Sequence, residues 1–265
     1  MLGAAYRVRL PPRAAVGRTL IPMTTTTAPE PLPEDWTRAL TVVAHPDDLE
    51  FGASSAIARW TAQGKDITEV LVTRGEAGID SLPPQESGRL RVEEQLASAR
   101  AVGVESVEFL DFPDGTLEYG LPLRRALARA IRRYRPEVIV SLNFRDHFPG
   151  SAAYNHADHR MLGPALLDAV RDAANRWIFT DLVDEGLAPW SGVRQVAFSN
   201  SPRVTHFVEL TEEHLAAGIA SLDAHEVYLA NIEGFDQKSF LRTDAERDGA
   251  SCGVGLATTF EVVPA

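Results

Sequence analysis

The sequence predicts an α/β fold, a mostly parallel sheet with helices on both faces and a polar site at the carboxyl ends of its strands. Three observations lead there. From Ala39 onward short β-branched runs alternate with helical stretches, which is how βαβ units read. The helical stretches stop at Gly64, Gly103 and Pro136, residues that end helices by backbone preference. Two clusters of His and Asp follow predicted strands, where the connections of an open parallel sheet leave room for a ligand.

The elements follow in order. Residues 1–37 are rich in Pro and Thr and are expected to be disordered, leaving 38–265 as a single domain. Residues 1–22 hold four Arg and no acid, and they lack the 7–15-residue apolar core of a signal peptide. Met23, followed by "TTTTAPEPLPEDW", reads as the natural start. Strands are expected at 40–44, 69–73, 107–110, 137–142, 194–199, 206–210 and 258–263. Helices are expected over 51–64, 88–103 and 121–135, with an exposed loop, "GIDSLPPQESG", at 78–88. In the Arg-rich helix 121–135, Leu and Ala recur at helical spacing and leave the arginines on a solvated face.

Composition narrows the function. The chain has 265 residues, 45% of them hydrophobic and 24% charged, ordinary for a protein with a substantial core. A net charge of −11 argues against a nucleic-acid backbone as partner. Without residues 1–22 the balance is 22 basic against 37 acidic, a net −15. No run approaches the ~20 apolar residues of a membrane helix, so no membrane anchor is expected. A single cysteine, Cys252, can form no internal disulfide, which fits a reducing, cytoplasmic setting.

The first cluster is "VVAHPDDLEFG", residues 42–52. If a helix begins near Pro46, His45 and Asp48 are three apart and face one point, while Asp47 projects elsewhere. A phosphate-binding loop would need glycines there, and two carboxylates would repel phosphate. The second cluster is "YNHADHR", residues 154–160, with His156 and His159 three apart and Asp158 between them. Alone, an Asp-Asp pair is ordinarily a helix cap with a solvated neighbour, and a His-x-x-His is ordinary polar surface. Together, at two strand ends, they favour a metal, because imidazole nitrogen and carboxylate oxygen are what zinc accepts. Spacing alone does not choose which of the four groups ligate. His225, in "SLDAHEVY", is a candidate for the pocket wall or the core, and His147 for the rim of the metal loop. Trp177, Trp190 and Tyr228 read as core or pocket wall.

"AHPDDLE" resembles the signature of the LmbE-like, or PIG-L, zinc-dependent N-deacetylases, and "NHADHR" resembles their His-x-Asp-His element. "TRGEAG" (73–78), Arg91 with Glu93, Glu94 and Gly103, and "PDGTL" (113–117) are similar to the family's intervening segments, in the family's order, over about residues 40 to 165. The resemblance implies a Rossmann-like fold and a zinc-activated water attacking an N-acetyl or N-acyl group on a glucosamine-containing small molecule. It implies one Zn²⁺ per chain, with Fe²⁺ as the alternative ion, held by His45, Asp48 and His159. Asp47 would be the general base and His156 would stabilise the oxyanion or protonate the leaving amine. Asp158 would orient a histidine, and Arg91 and Asp114 would contact substrate. Glu50 would act as a structural carboxylate behind them. Alternatives within the family are an amidase of thiol conjugates or antibiotic sugars; outside it, a non-catalytic Rossmann-like sugar or nucleotide binder. One departure is "FGASS", which places Ser54 and Ser55 where the family has paired glycines.

Overall fold

The structure, a computed structural model, describes residues 28–232, 234 and 236–265. Its elements run β1 (Glu30–Pro31), β2 (Arg38–Val43), α1 (Ser54–Ala62), β3 (Asp66–Leu71), α2 (Pro84–Ala101), β4 (Ser106–Phe109), α3 (Leu121–Tyr134) and β5 (Val138–Leu142). Then come α4 (Ala157–Ala174), α5 (Thr180–Asp184), β6 (Gln195–Ser199), β7 (His206–Glu209), α6 (Glu212–Asp223), α7 (Glu226–Leu229), α8 (Gln237–Cys252) and β8 (Ala257–Pro264). Among the described residues eight strands form one sheet in the order β1-β7-β8-β6-β5-β2-β3-β4. All neighbours are parallel except β8, which runs antiparallel to β6 and β7.

Strand alternation sorts the core into two layers. Ala39, Val43, Ile67, Leu71, Val138 and Val140 face the layer that holds Trp36, Trp60 and Phe260. Leu40, Val42, Val70, Ile139, Val196 and Phe198 face the layer built with Leu123, Leu127, Ile131 and Leu166 of α3 and α4. Both faces are therefore covered, which is why the strands read as nearly continuous apolar runs. The chain leaves β2 toward β3 and β4 on one side, then returns through α3 to β5 on the other. That reversal opens the crevice between the carboxyl ends of β2 and β5 where ligands bind in such sheets.

Several expectations are corrected. Residues 1–27 lie outside the described residues, but 28–37 are ordered: β1 pairs with β7, and Leu32 and Trp36 are buried. The apolar Leu32 and Trp36 outweigh the prolines around them. No helix starts at Pro46; residues 46–53 are turns and α1 begins at Ser54. The stretch 78–88 is only partly loop, since α2 starts at Pro84 and both Ile79 and Ser87 are buried. The arginines of α3 are not simply solvated. Arg124 pairs with Asp172, Arg125 with Asp181, and the buried Arg132 donates to five carbonyls between Asp172 and Phe179. In α1 the serines keep the close packing that glycines would give. Ser55 Oγ lies where a side chain on Gly218 of α6 would stand, and Ser54 Oγ accepts from Ser221 at 3.4 Å. Among the described residues no helix is long and apolar enough to cross a membrane.

Candidate active site

His45 is separated from β2 by one residue, and a turn brings Asp48 back to it: the Asp48 carboxylate accepts the His45 backbone N–H at 2.9 Å. The turn depends on Asp47, whose φ of 80° is left-handed and costs a non-glycine residue about 1 kcal/mol. This turn, not helical spacing, sends the adjacent carboxylates apart. Asp48 points to the histidines, and Asp47 points to Arg91 of α2 at 2.5 Å.

The second cluster arrives from β5. The loop after it is tied by the buried Asn155, whose amide donates to Asn143 O at 2.8 Å and Arg145 O at 2.9 Å. His156 then caps α4, and His159 sits one turn in. The two clusters meet. His159 Nε2 is 3.0 Å from Asp48 Oδ1 and 3.3 Å from His45 Nδ1, and His45 Nδ1 is 3.6 Å from Asp48 Oδ2. Tetrahedral zinc with bonds of ~2.0–2.1 Å spaces its ligand atoms about 3.3–3.4 Å apart, so this triangle fits such an ion.

The far side of each ring supports the fit. His45 Nε2 meets Asp114 Oδ1 at 3.0 Å and Asp158 Oδ2 at 3.2 Å. His159 Nδ1 meets Asn155 Oδ1 at 3.0 Å. In the neutral tautomers those outer nitrogens carry the proton, and the inner nitrogens present lone pairs to one point, the carboxylate-histidine arrangement of metal centres. Two further triads hold ligand atoms within 4.8 Å: His45, His156 and His159, and His45, Asp114 and Asp158. The second is already engaged, because Asp158 accepts from Gly115 N and Leu117 N, and Asp114 from Ala77 N. In the first, His156 Nδ1 accepts the Asp158 N–H at 3.2 Å, which leaves Nε2 to carry its proton into the pocket.

The electrostatics favour positive charge. Burial works against protonating His45, yet the Asp48 charge and the contacts with Asp114, Asp158 and Asp48 hold it well above its ordinary value. Burial likewise opposes the Asp48 charge, and His159 and His45 overcome it, holding the carboxyl well below the usual range. Asp47 behaves oppositely. Burial pushes its carboxyl up to about 7, Arg91 opposing and Asp48 adding to the rise. For His156, burial and the neighbouring His45 and His159 lower the pKa, which disfavours the protonated ring.

These groups line a cavity of about 490 Å³, closed partly by Phe51, Phe148 and Tyr228. Arg91 and Asp114, expected at substrate, line it, but their charged ends are engaged with Asp47 and His45. Asp158, expected to orient a histidine, lies against His45. His225 is fully buried behind the cavity, 3.5 Å from Glu50. His147 lies in a neighbouring cleft, bridged to Tyr154. Trp177 is exposed, Trp190 packs on the α3–α4 layer, and Tyr228 is the wall residue. Sequence reading missed Asn155, Asn143, Asn200 and Gln95.

Residues 40–170 match the family described as PIG-L: GlcNAc-PI de-N-acetylase. The chain is 28% identical over 236 residues to a diacetylchitobiose deacetylase of Thermococcus kodakarensis, covering 87% of this chain and 84% of that protein. It is 28% identical to a probable N-acetyl-alpha-D-glucosaminyl L-malate deacetylase 2 of Bacillus anthracis, over 49% of this chain and 58% of that protein. The fold is that of N,N'-diacetylchitobiose deacetylase from Pyrococcus horikoshii, with a TM-score of 0.76 and 24% identity over 87% of this chain and 85% of that one.

Proposed function

Residues 40–170 of this chain belong to the PIG-L family, and from that premise we propose that the protein is a metal-dependent deacetylase. It removes an N-acetyl or N-acyl group from a glucosamine-containing small molecule. The observation that carries this is the triangle of His45 Nδ1, His159 Nε2 and the Asp48 carboxylate, 3.0–3.6 Å on its edges, beside the separate carboxylate of Asp47. His45, Asp48 and His159 would hold the ion, and two nitrogens with one oxygen is a donor set that suits zinc; Fe²⁺ is the alternative. Bound there, a divalent ion lowers the pKa of water and polarises the acyl carbonyl.

The chain's own groups do the rest. Asp47, poised near neutrality, accepts a proton from the attacking water and returns it to the departing amine nitrogen as the C–N bond breaks, and Arg91 fixes the carboxylate in place. His156 offers Nε2–H to the developing oxyanion, its other nitrogen held by the Asp158 amide. Asp114 and Asp158 keep His45 in the tautomer whose Nδ1 faces inward. A cytoplasmic setting belongs to the same proposal and is supported by the single cysteine.

Acetate release is the test. Zinc-loaded protein incubated with N-acetylglucosamine, N,N'-diacetylchitobiose and an N-acetylglucosaminyl malate is expected to release acetate and leave a free amine on at least one of them. A protein that binds these compounds without releasing acetate would instead be a sugar-binding module.

A further inference from the structure

Among the described residues two arginines are buried, Arg91 and Arg132, and they are held differently. Every nitrogen of the Arg132 guanidinium donates to a backbone carbonyl. Arg91 is not so complete. Its Nη2 donates to Asp47 and to Pro46 O, and its Nη1 to Gly75 O at 3.2 Å, but its Nε has no hydrogen-bond partner. An unpaired buried N–H is costly, so hydrogen bonds alone do not explain why the guanidinium stays where it is. A slot does. Gly75 and Gly78 lie so close that a side chain on either would run into the guanidinium. The ring of Tyr228 bounds it again, with its centroid 4.2 Å from the guanidinium carbon.

Tyr228 is itself placed with care. It comes from α7, which is four residues long and buries none of them, so apolar packing does not seat this helix. Polar anchors do. The Glu94 carboxylate accepts the Val227 backbone N–H. His225, wholly buried at the start of α7, accepts the Leu229 N–H on its carbonyl at 2.8 Å and sets its Nε2 3.5 Å from Glu50 Oε1. Glu94 stands three residues after Arg91 on α2, so one helix face carries the guanidinium and fixes the ring over it. Glu94 and His225, two buried groups that the reaction does not use, thereby acquire a task.

We propose that Tyr228 is a positioning residue of the reaction: its ring, seated on the Arg91 guanidinium, holds the Arg91–Asp47 pair in the geometry that the proton transfers need. The inference rests on the deacetylase reading above and deepens it. Asp47 has to reach the attacking water first and the departing nitrogen afterwards. Misplacing such a group by about 1 Å costs on the order of 10²-fold in rate. An aromatic face attracts a cation through its quadrupole, most strongly where water is excluded. Tyr228 therefore steadies Arg91 without drawing any of its N–H groups away from Asp47.

The experiment measures kcat, KM and zinc content of the zinc-loaded full chain, on whichever of the three compounds named above releases acetate fastest. The variants are Tyr228→Leu, Tyr228→Phe, Asp47→Asn, and Tyr228→Leu combined with Asp47→Asn. Tyr228→Leu is expected to lower kcat roughly 10- to 100-fold, to leave KM within about threefold, and to keep its zinc. Tyr228→Phe restores the ring face and is expected to recover most of that loss. In the Asp47→Asn background the cost of Tyr228→Leu should shrink to about twofold or less, because a residue that acts through Asp47 has nothing left to position. Equal losses in both backgrounds overturn the proposal and make Tyr228 a wall residue that acts on substrate directly. So does a loss in Tyr228→Phe as large as that in Tyr228→Leu, a raised KM with kcat unchanged, or a loss of zinc. In each of those results the deacetylase reading stands. No acetate from wild type on any of the three compounds overturns both readings together.

Discussion

Asp47 and Asp48 are chemically identical neighbours with opposite tasks, and one backbone angle separates them. With φ at 80°, Asp47 turns toward Arg91 and Tyr228, while Asp48 turns toward His45 and His159. Arg91 also donates to Pro46 O at 2.6 Å and lies 4.2 Å over the Tyr228 ring, so the carboxylate it holds has little freedom. Asp47 acts as a base only when deprotonated, and burial sets its carboxyl at about 7. Activity should therefore climb with pH, one proton's slope, and level off at or somewhat below pH 7, since a nearby metal's charge lowers the midpoint. Asp47→Asn should keep the metal and lose about 10²–10⁴-fold in kcat, with that slope gone. A pH–rate profile beside metal analysis checks it, and a variant with normal turnover would mean another base. The charged members of this site were visible in the sequence because His and Asp at strand ends are conspicuous. The amides were not. Asn155, which fixes the His159 ring, and Gln95, which accepts the Asp47 N–H at 3.2 Å, carry neither charge nor pattern.

Among the elements, α2 is unusual in what it buries. Its buried residues are Ser87, Gly88, Arg91, Glu94, Gln95, Ser98 and Ala99, at helical spacing but mostly polar, so apolar periodicity does not explain the face it buries. Facing it from β3 is Glu69, 1% exposed. Gln95 Nε2 donates to Glu50 Oε1 at 3.0 Å and to Glu69 Oε2 at 3.1 Å, so two buried carboxylates share one amide. Burial opposes the Glu50 charge, but His225 and Ser98 outweigh it and hold that carboxyl low. Glu69 has only the Gln95 amide to lower it, and burial together with Glu50 pushes it up to about 8. Its folded pKa lies above the unfolded value, so the fold binds this proton more tightly. Stability should fall as pH rises from about 4.5 to about 8, by up to ~1.4 kcal/mol per unit. Glu69→Gln keeps an acceptor for Gln95 without the ionisation, and should flatten that loss in denaturant melts at pH 6 to 8. An unchanged pH slope would mean that Glu69 is not the group responsible. The strands were legible within one to three residues because buried parallel strands are continuous β-branched runs. Helix α8 was not: its buried residues are Leu241, Ala245 and Gly249, a stripe one residue wide on an otherwise polar helix. β1 escaped for a similar reason, being two residues long with its anchoring Leu32 and Trp36 scattered among prolines.

For the whole molecule, the chain order dictates where the chemistry sits. β2 and β5 lie side by side at the reversal of the sheet, so motifs more than a hundred residues apart close on one point. The parallel architecture and the two clusters were legible, because each cluster follows its strand in the chain. Their meeting was not, since strand order is not written in any local pattern. An acidic chain, at −11, gathers Asp48, Asp114 and Asp158 around His45 and so prepares a place for a cation. The central claim is that His45, Asp48 and His159 hold that cation while His156 stays free for the substrate. Zinc stoichiometry, measured on wild type, His159→Ala and His156→Ala after dialysis against free zinc at neutral pH, tests it most directly. The account predicts about one zinc per chain in wild type and in His156→Ala, and little or none in His159→Ala. A wild type that retains no zinc, or a His156→Ala that loses it while His159→Ala keeps it, would contradict the account.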